Sequence, residues 1–303
     1  MKLEDLSGIT FGGASISGEG GGYGFGAMSE GQAEKIILGA FEHGITLFDT
    51  APIYGFGMSE ERLGKYLPKD AMVITKSGVD WHETKRVNMT NSPVHTERMF
   101  HESLKRLQRD CIDVYMVHWP DTKFDIREPL AVIKKFQDQG KIKHIGLCNT
   151  NLGDLELARE ICEVEVLQSE LNVLNTSAFD SLDQEWKKYF SMSWGTFDKG
   201  ILTGRVTKDR KFDQFDGRGS APWWNKKEVL VKIDKTTKLE AILGDYGITL
   251  SQFCLNFNLN YYGLSTCLIG FKSYDDIVQM TTYLQTKLSA ETIKEVLVRF
   301  HNP

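Results

Sequence analysis

The sequence predicts an α/β protein: a (β/α)8 (TIM) barrel in a single domain, with long loops at the C-terminal face of its strands. Three observations point there. Short apolar runs alternate with amphipathic helical stretches along most of the 303 residues, as repeated βα units of a parallel sheet would. Eight such runs over about 250 residues match the size of a closed eight-stranded barrel. No linker rich in Pro, Ser or charge divides the chain, so residues 1–303 read as one domain.

The first apolar run, 9–12, leads into a glycine-rich irregular segment, 15–27, and a helical pattern over 30–43. The second, 46–49, ends on a carboxylate, and after a turn punctuated by Pro52 and Gly55 a helix starts near Ser59. The third, 72–76, ends on Lys76; an irregular stretch, 78–93, separates it from a helix over 96–108. Run 113–118 ends on His118 and precedes a helix over 128–139, and run 144–148 precedes one over 152–161. Run 166–168 is short and is followed by a helical pattern over 177–188. Run 190–194 opens into a basic, aromatic segment, 204–227, before helices over 232–246 and 250–260; run 265–270 completes the set. A loop as long as 204–227 in a compact domain is expected to serve function, here as a cover over substrate.

Bulk properties exclude several classes. A hydrophobic fraction of 41% and a charged fraction of 25% are ordinary for a globular chain with a substantial core. The net charge of −5 gives no electrostatic case for nucleic acid or an anionic membrane as partner. No apolar stretch approaches the ~20 residues that span a bilayer, and the start has acids where a leader would need an apolar run. The five cysteines are odd in number, widely spaced and without a C-x-x-C, which suits free thiols in a reducing compartment. A cytoplasmic location is expected. The seven histidines show no metal-binding spacing, so no metal is expected. A G-x-S-x-G nucleophile elbow is also missing.

One competing pattern is the run Gly22-Tyr-Gly24-Phe-Gly-Ala27, which fits G-x-G-x-x-G/A ahead of a helix, with Asp49 closing the next strand. This resembles a dinucleotide-binding βαβ unit. Its glycines begin several residues after the strand, however, so the tight strand-to-helix turn is missing. That reading also leaves Tyr54, Lys76 and His118 without a role.

Those residues carry the chemistry. Asp49, Lys76 and His118 end the second, third and fourth strands, and Tyr54 lies just beyond the second. A barrel makes such ends converge. A phenol has a reference pKa near 10, and a neighbouring ammonium favours its ionised form. Lys76 is placed for that, with Asp49 holding it charged and oriented. His118 can donate a hydrogen bond to the substrate oxygen and help bind developing negative charge. With the oxygen so managed, the carbon needs only a hydride donor or acceptor, and a nicotinamide is the expected source.

At this point the sequence resembles the aldo-keto reductase superfamily over nearly its whole length. The motifs are Phe48-Asp-Thr-Ala-Pro-Ile-Tyr54-Gly with Ser59-Glu-Glu-Arg-Leu-Gly64, then Thr75-Lys76, Ser103-Leu-Lys-Arg-Leu107, Asp113-Val-Tyr-Met-Val-His-Trp-Pro-Asp121 and Gly140-Lys-Ile-Lys-His-Ile-Gly146. The resemblance implies an NAD(P)(H)-binding barrel that interconverts carbonyl and alcohol. It also implies a tetrad of Asp49, Tyr54, Lys76 and His118, with Tyr54 as general acid in reduction. A second class carried by the same family is a cofactor-binding regulatory subunit, whose tetrad reports redox state with little turnover.

Cofactor contacts follow from the resemblance as well. They comprise Gly13 and Ala14 after the first strand, Asp49, Asn149 and Gln168 for the carboxamide, and Trp194 stacked on the nicotinamide. Cys148 stands where serine is usual, and Gly195, Thr196 and Phe197 replace the usual Ser-Pro-Leu. Gly200, Leu202 and Gly204 fall in the phosphate-wrapping turn, where backbone N–H groups can cradle a pyrophosphate whatever the side chains. Gly270, Lys272 and Ser273 resemble the stretch that grips an adenosine 2′-phosphate, an anion that a lysine and a hydroxyl suit. Asp276 stands where a neutral or basic residue is usual, and Met280 replaces a common Asn. NADP(H) is favoured over NAD(H). Trp81, Trp119 and the Trp223-Trp224 loop would line a substrate pocket with Tyr54 and His118. The polar tract Trp81-His-Glu-Thr-Lys-Arg86 points to a small-molecule carbonyl or sugar, such as an aldose or keto-sugar.

Overall fold

In a computed structural model that describes residues 2–3, 6, 8–18, 24–219 and 224–302, eight parallel strands close into a barrel. In chain order they are β1 (Ile9–Gly12), β2 (Leu47–Asp49), β3 (Met72–Ser77), β6 (Ile112–Val117), β7 (Ile142–Cys148), β8 (Val166–Glu170), β9 (Phe190–Trp194) and β10 (Thr266–Ile269), with β10 pairing back to β1. All eight expected strands are present, and the closed ring excludes the open dinucleotide-binding sheet. Of the glycine run that suggested it, Gly22 and Tyr23 lie outside the described residues.

Period-two alternation explains where the chemistry sits. Side chains of one strand point alternately into the barrel and outward to the helices. Leu47, Met72, Ile74, Val114, Met116, Cys148, Val166 and Met192 form the interior cluster. Phe48, Val73, Tyr115, Val117 and Leu167 point the other way, into the larger core beneath the helices. Two residues beyond Leu47, Ile74, Met116, Val166 and Met192 come Asp49, Lys76, His118, Gln168 and Trp194. The same pleat that buries the apolar residues therefore delivers these polar and aromatic groups to the next layer up, at the carboxyl ends of the strands.

The helices form for local reasons. Helix α1 (Glu30–Glu42) starts in a reciprocal capping box between Ser29 and Gln32 and buries Ala33, Ile36, Ile37 and Ala40. Helix α2 (Met58–Tyr66) packs on α3 (Pro93–Leu107), whose Ser92 cap and Pro93 fix its start. Their approach is close enough that a Cβ on Gly64 would lie 2.2 Å from Arg106 O. Helices α4 (Arg127–Asp138) and α5 (Leu152–Arg159) cover the next two strands.

The structure differs from the sequence reading in several places. The stretch 78–93 is not wholly irregular, since β4 (Val79–Trp81) and β5 (Val87–Met89) form an antiparallel hairpin. The helix expected over 177–188 is broken into α6 (Ser177–Asp180) and a 3₁₀ turn, Glu185–Lys188, because Asp183 and Gln184 adopt φ of 43° and 64°. Helix α7 (Lys226–Gly244) begins earlier than expected, capped by Asn225, which accepts from Lys227 N and Glu228 N. Helix α8 (Leu250–Asn256) passes into a π-helical turn, Phe257–Tyr261. Two further helices, α9 (Tyr274–Tyr283) and α10 (Ala290–His301), follow the last strand. No helix among the described residues is long and apolar enough to cross a membrane. All five cysteines are free.

Candidate active site

Lys76, wholly buried, donates to Asp49 Oδ1 at 2.7 Å, to Asp49 Oδ2 at 2.8 Å and to Thr50 O at 2.9 Å. Those contacts occupy the three donors of the ammonium with a carboxylate and a carbonyl. Burial pushes the Asp49 carboxyl up, against the opposing charge of Lys76 and hydrogen bonds from Lys76 and Gln168. Lys76 Nζ lies 5.5 Å from the centroid of the Tyr54 ring. The Tyr54 and His118 rings meet edge to face, with centroids 5.8 Å apart and planes at 88°. Burial, helped by the charge of Lys76, holds the His118 imidazole well below its usual pKa. A neutral imidazole with one N–H follows near neutral pH. The four residues singled out from the sequence thus form one cluster at the barrel mouth.

Beside it is a second polar layer. Asn149 has φ of 54°, a left-handed conformation that asparagine tolerates. Its Nδ2 donates to His118 O at 3.0 Å and to Cys148 Sγ at 3.1 Å, and its Oδ1 accepts from Trp194 Nε1 at 2.9 Å. Gln168 Nε2 donates to Asp49 Oδ2 at 2.8 Å. Trp119 lies between His118 and Trp194, 6.4 and 6.3 Å away by ring centroids. Trp81 packs farther out, on Phe56 and over Arg106, in the apolar group that includes Tyr54 and Trp119. Trp223 lies outside the described residues.

Around the rim run three segments expected to hold a cofactor. Gly13 and Ala14 belong to a 3₁₀ turn, Gly13–Ile16, directly after β1. A Cβ on Gly13 would meet Asp49 O at 2.6 Å, so only glycine fits there. Gly195, Gly200 and Gly204 all have positive φ and shape the turn after β9. Within that turn the Thr196 side chain points inward, to Ser193 Oγ and Leu268 O, and Leu202 is buried in the core. Phe197 also packs against that core, so these three can offer a ligand their backbone rather than their side chains. The third segment follows β10, from Gly270 to Asp276. Ser273 Oγ caps α9 by accepting from Asp276 N, and its hydroxyl proton meets no acceptor among the described residues.

The electrostatics of this rim were only partly visible in the sequence. Lys272 keeps a solvent-exposed side but donates to Ser15 O at 3.0 Å. Crowding by protein pushes its ammonium down to about 8. Asp276 is paired with Arg205, Nη1 to Oδ1 2.6 Å. Arg218 forks onto Asp216 and donates to Lys199 O at 2.9 Å. Asn172 Nδ2 donates to Gly195 O at 3.0 Å and fixes the altered turn. Sequence reasoning missed Arg205, Arg218 and Asn172. The basic character of segment 204–227 was the only signal for the two arginines.

These residues suit an anionic dinucleotide. Two amides and an indole stand at the barrel mouth, glycine turns offer backbone N–H groups along the rim, and a lysine, partly exposed yet crowded by protein and without a carboxylate at hydrogen-bond distance among the described residues, stands farther along it. A closed (β/α)8 barrel with a buried Lys–Asp pair beneath a tyrosine and a histidine defines an oxidoreductase of the kind that works on a carbonyl oxygen. The model of the Aldo/keto reductase family matches residues 8–297, and the chain belongs to that family. It is 31% identical over 286 residues to the aldo-keto reductase YhdN of Bacillus subtilis, covering 91% of this chain and 86% of that one. It is 27% identical over 271 residues to the NADH-specific methylglyoxal reductase of Escherichia coli, covering 84% and 82%. The solved glycerol dehydrogenase of Gluconobacter oxydans superposes with a TM-score of 0.82 at 25% identity, covering 98% and 94%. The protein is an NAD(P)H-dependent oxidoreductase that interconverts carbonyl and alcohol. Membership of this family, with relatives named as reductases, favours an enzyme over a regulatory subunit.

Proposed function

We propose that the protein interconverts a small polar carbonyl compound and its alcohol, with Tyr54 moving the proton and NADP(H) as the preferred cofactor. The observation that carries this reading is the buried Lys76 ammonium, clamped by Asp49 and 5.5 Å from the Tyr54 ring. An ammonium so placed stabilises the phenolate. In reduction, the Tyr54 O–H bond breaks as its proton passes to the substrate oxygen, and the resulting phenolate is held by the Lys76 charge. In oxidation, the phenolate takes that proton back. His118, neutral, donates its N–H to the same oxygen, stabilising negative charge as it develops without competing for the proton. A bound nicotinamide dinucleotide supplies or accepts the hydride at the carbon.

Lys272 and Arg205 support NADP(H). The carboxylate of Asp276, which alone would oppose a 2′-phosphate, is paired with Arg205, while the crowded Lys272 gains from an added anion. The Trp119 face, beside His118, suits a small hydroxylated molecule. The relatives named for methylglyoxal and glycerol act on compounds of that size.

The test is NAD(P)H oxidation across a panel of small aldehydes, aldoses and keto-sugars, with Tyr54→Phe beside the wild type. Tyr54→Phe should lose turnover by at least roughly a hundredfold while still binding cofactor. Full activity in that variant would defeat the mechanism. A preference for hydrophobic steroids over sugars would defeat the substrate reading, and tighter NADH than NADPH binding would defeat the cofactor reading.

A further inference from the structure

The resemblance assigns Gln168 to the carboxamide of the cofactor, yet its side chain is already engaged on both ends. Its Nε2 donates to Asp49 Oδ2 at 2.8 Å and approaches Met192 Sδ at 3.9 Å, while its Oε1 accepts from Cys148 Sγ at 3.2 Å. All four residues are buried. We propose that Gln168, its amide held in one orientation by the Cys148 thiol, is a positioning residue for the Asp49–Lys76 pair and, through that pair, for proton transfer at Tyr54.

Donor and acceptor arithmetic supports the orientation. A thiol carries one proton. Asn149 Nδ2 already donates to the Cys148 sulfur at 3.1 Å, so the thiol proton is left for Gln168 Oε1. If the amide were flipped, its carbonyl oxygen would face the Asp49 carboxylate, two acceptors with no proton between them, and such an arrangement is costly when buried. The thiol keeps its proton because burial pushes it up to about 12. Lys76 from β3 and Cys148 from β7 act electrostatically on Asp49, while the Lys76 charge also acts on His118 and lies 5.5 Å from the centroid of the Tyr54 ring. Gln168 therefore supplies a neutral side-chain donor to Asp49 beside the charged donor Lys76. Without it, the carboxylate loses a charge-assisted hydrogen bond and holds the ammonium in a less defined place. Oε1 of Gln168 retains a second lone pair, so a ligand amide can still meet it there.

This inference rests on Tyr54 as the proton-transferring group, and two measurements separate its failure from failure of that reading. The first is the infrared S–H stretch of cofactor-free protein, assigned to Cys148 from the wild-type minus Cys148→Ser difference. A band displaced to lower frequency than a free thiol, moving back in Gln168→Leu, is expected. A wild-type band at the free-thiol position overturns the orientation whatever Tyr54 does. The second is the pH dependence of kcat/KM for alcohol oxidation. Cys148→Ala and Gln168→Leu should move the apparent pKa of the phenolate-dependent limb upward by about one unit, roughly a tenfold loss at neutral pH. Cys148→Ser, which keeps a donor, should restore the profile to within about threefold. An unmoved profile in Gln168→Leu overturns the positioning role. If the alanine variant does not fold, the serine variant and the wild-type band still decide the orientation.

Discussion

Replacing Lys76 with methionine separates what the buried ammonium does for stability from what it does for chemistry. The substitution keeps an unbranched chain of similar length but leaves the Asp49 carboxylate, 1% exposed, without its ammonium partner while the hydrogen bond from Gln168 stays in place. Stranding one member of a buried ion pair typically costs about 3–5 kcal/mol, and that is the loss of unfolding free energy expected for Lys76→Met. The double variant Lys76→Met/Asp49→Asn removes the stranded charge while keeping an acceptor for Gln168, so it should regain most of that loss. Chemistry should not return with it. At an effective dielectric constant of about 20, a unit charge 5.5 Å from the Tyr54 ring is worth roughly 3 kcal/mol, or about a hundredfold in phenolate population. Both variants should therefore oxidise alcohol about a hundredfold more slowly near neutral pH, with the pH–rate profile moved upward by about two units. Urea denaturation gives the stabilities and steady-state kinetics across pH gives the profiles. A single variant that keeps the wild-type profile would refute the electrostatic role of Lys76. A double variant as unstable as the single would refute the stranded-charge argument.

Two further perturbations probe the rim and the histidine. Arg205→Ala leaves Asp276 without its guanidinium partner at 2.6 Å, so NADPH affinity should fall about tenfold and NADH affinity by less than about threefold; fluorescence titration with equal losses for both would refute the role given to the pair. The His118 pKa is depressed below 6.5 in the folded protein, so the unfolded chain takes up the proton first as pH falls. The contribution of a neutral His118 is full above pH 6.5 and is lost at up to about 1.4 kcal/mol per pH unit below it. His118→Asn should flatten the wild-type decline in stability between pH 6.5 and 5, and an equally steep decline in the variant would refute the assignment.

The residues proposed to be catalytic were legible because each depends on local sequence alone. Asp49, Lys76 and His118 stand two positions beyond an inward apolar residue of their own strand, and period-two alternation carries them to the rim without knowledge of any partner. The β4–β5 hairpin was not legible, because β4 is only three residues long and β5 exposes Val87 and Met89, so no buried alternation marks its second strand. The large apolar residues spaced through 177–188, Phe179, Leu182 and Trp186, are all buried. Their helical pattern gave the wrong backbone, since a break at Asp183 and Gln184 followed by a 3₁₀ turn keeps the same face inward. Helix α10 carries a periodic face of Ile293, Val296 and Phe300, but it follows no strand, so βα alternation does not call for it.

Cofactor preference depends on another kind of contact. Asp276 read alone argues against a 2′-phosphate; its partner Arg205 stands 71 positions earlier in a segment with no regular period. Likewise, Gln168 meets Asp49 across 119 residues, and neither periodicity nor spacing announces that pair. A carboxylate at a barrel mouth has no fixed meaning until its counter-charge is known, because the same side chain repels an anion when alone and is nearly silent when forked by an arginine. What distinguishes this chain within its family should therefore be sought in pairs such as Arg205–Asp276 and Cys148–Gln168. Substituting both members of a pair together tests that more directly than exchanging single residues in the tetrad.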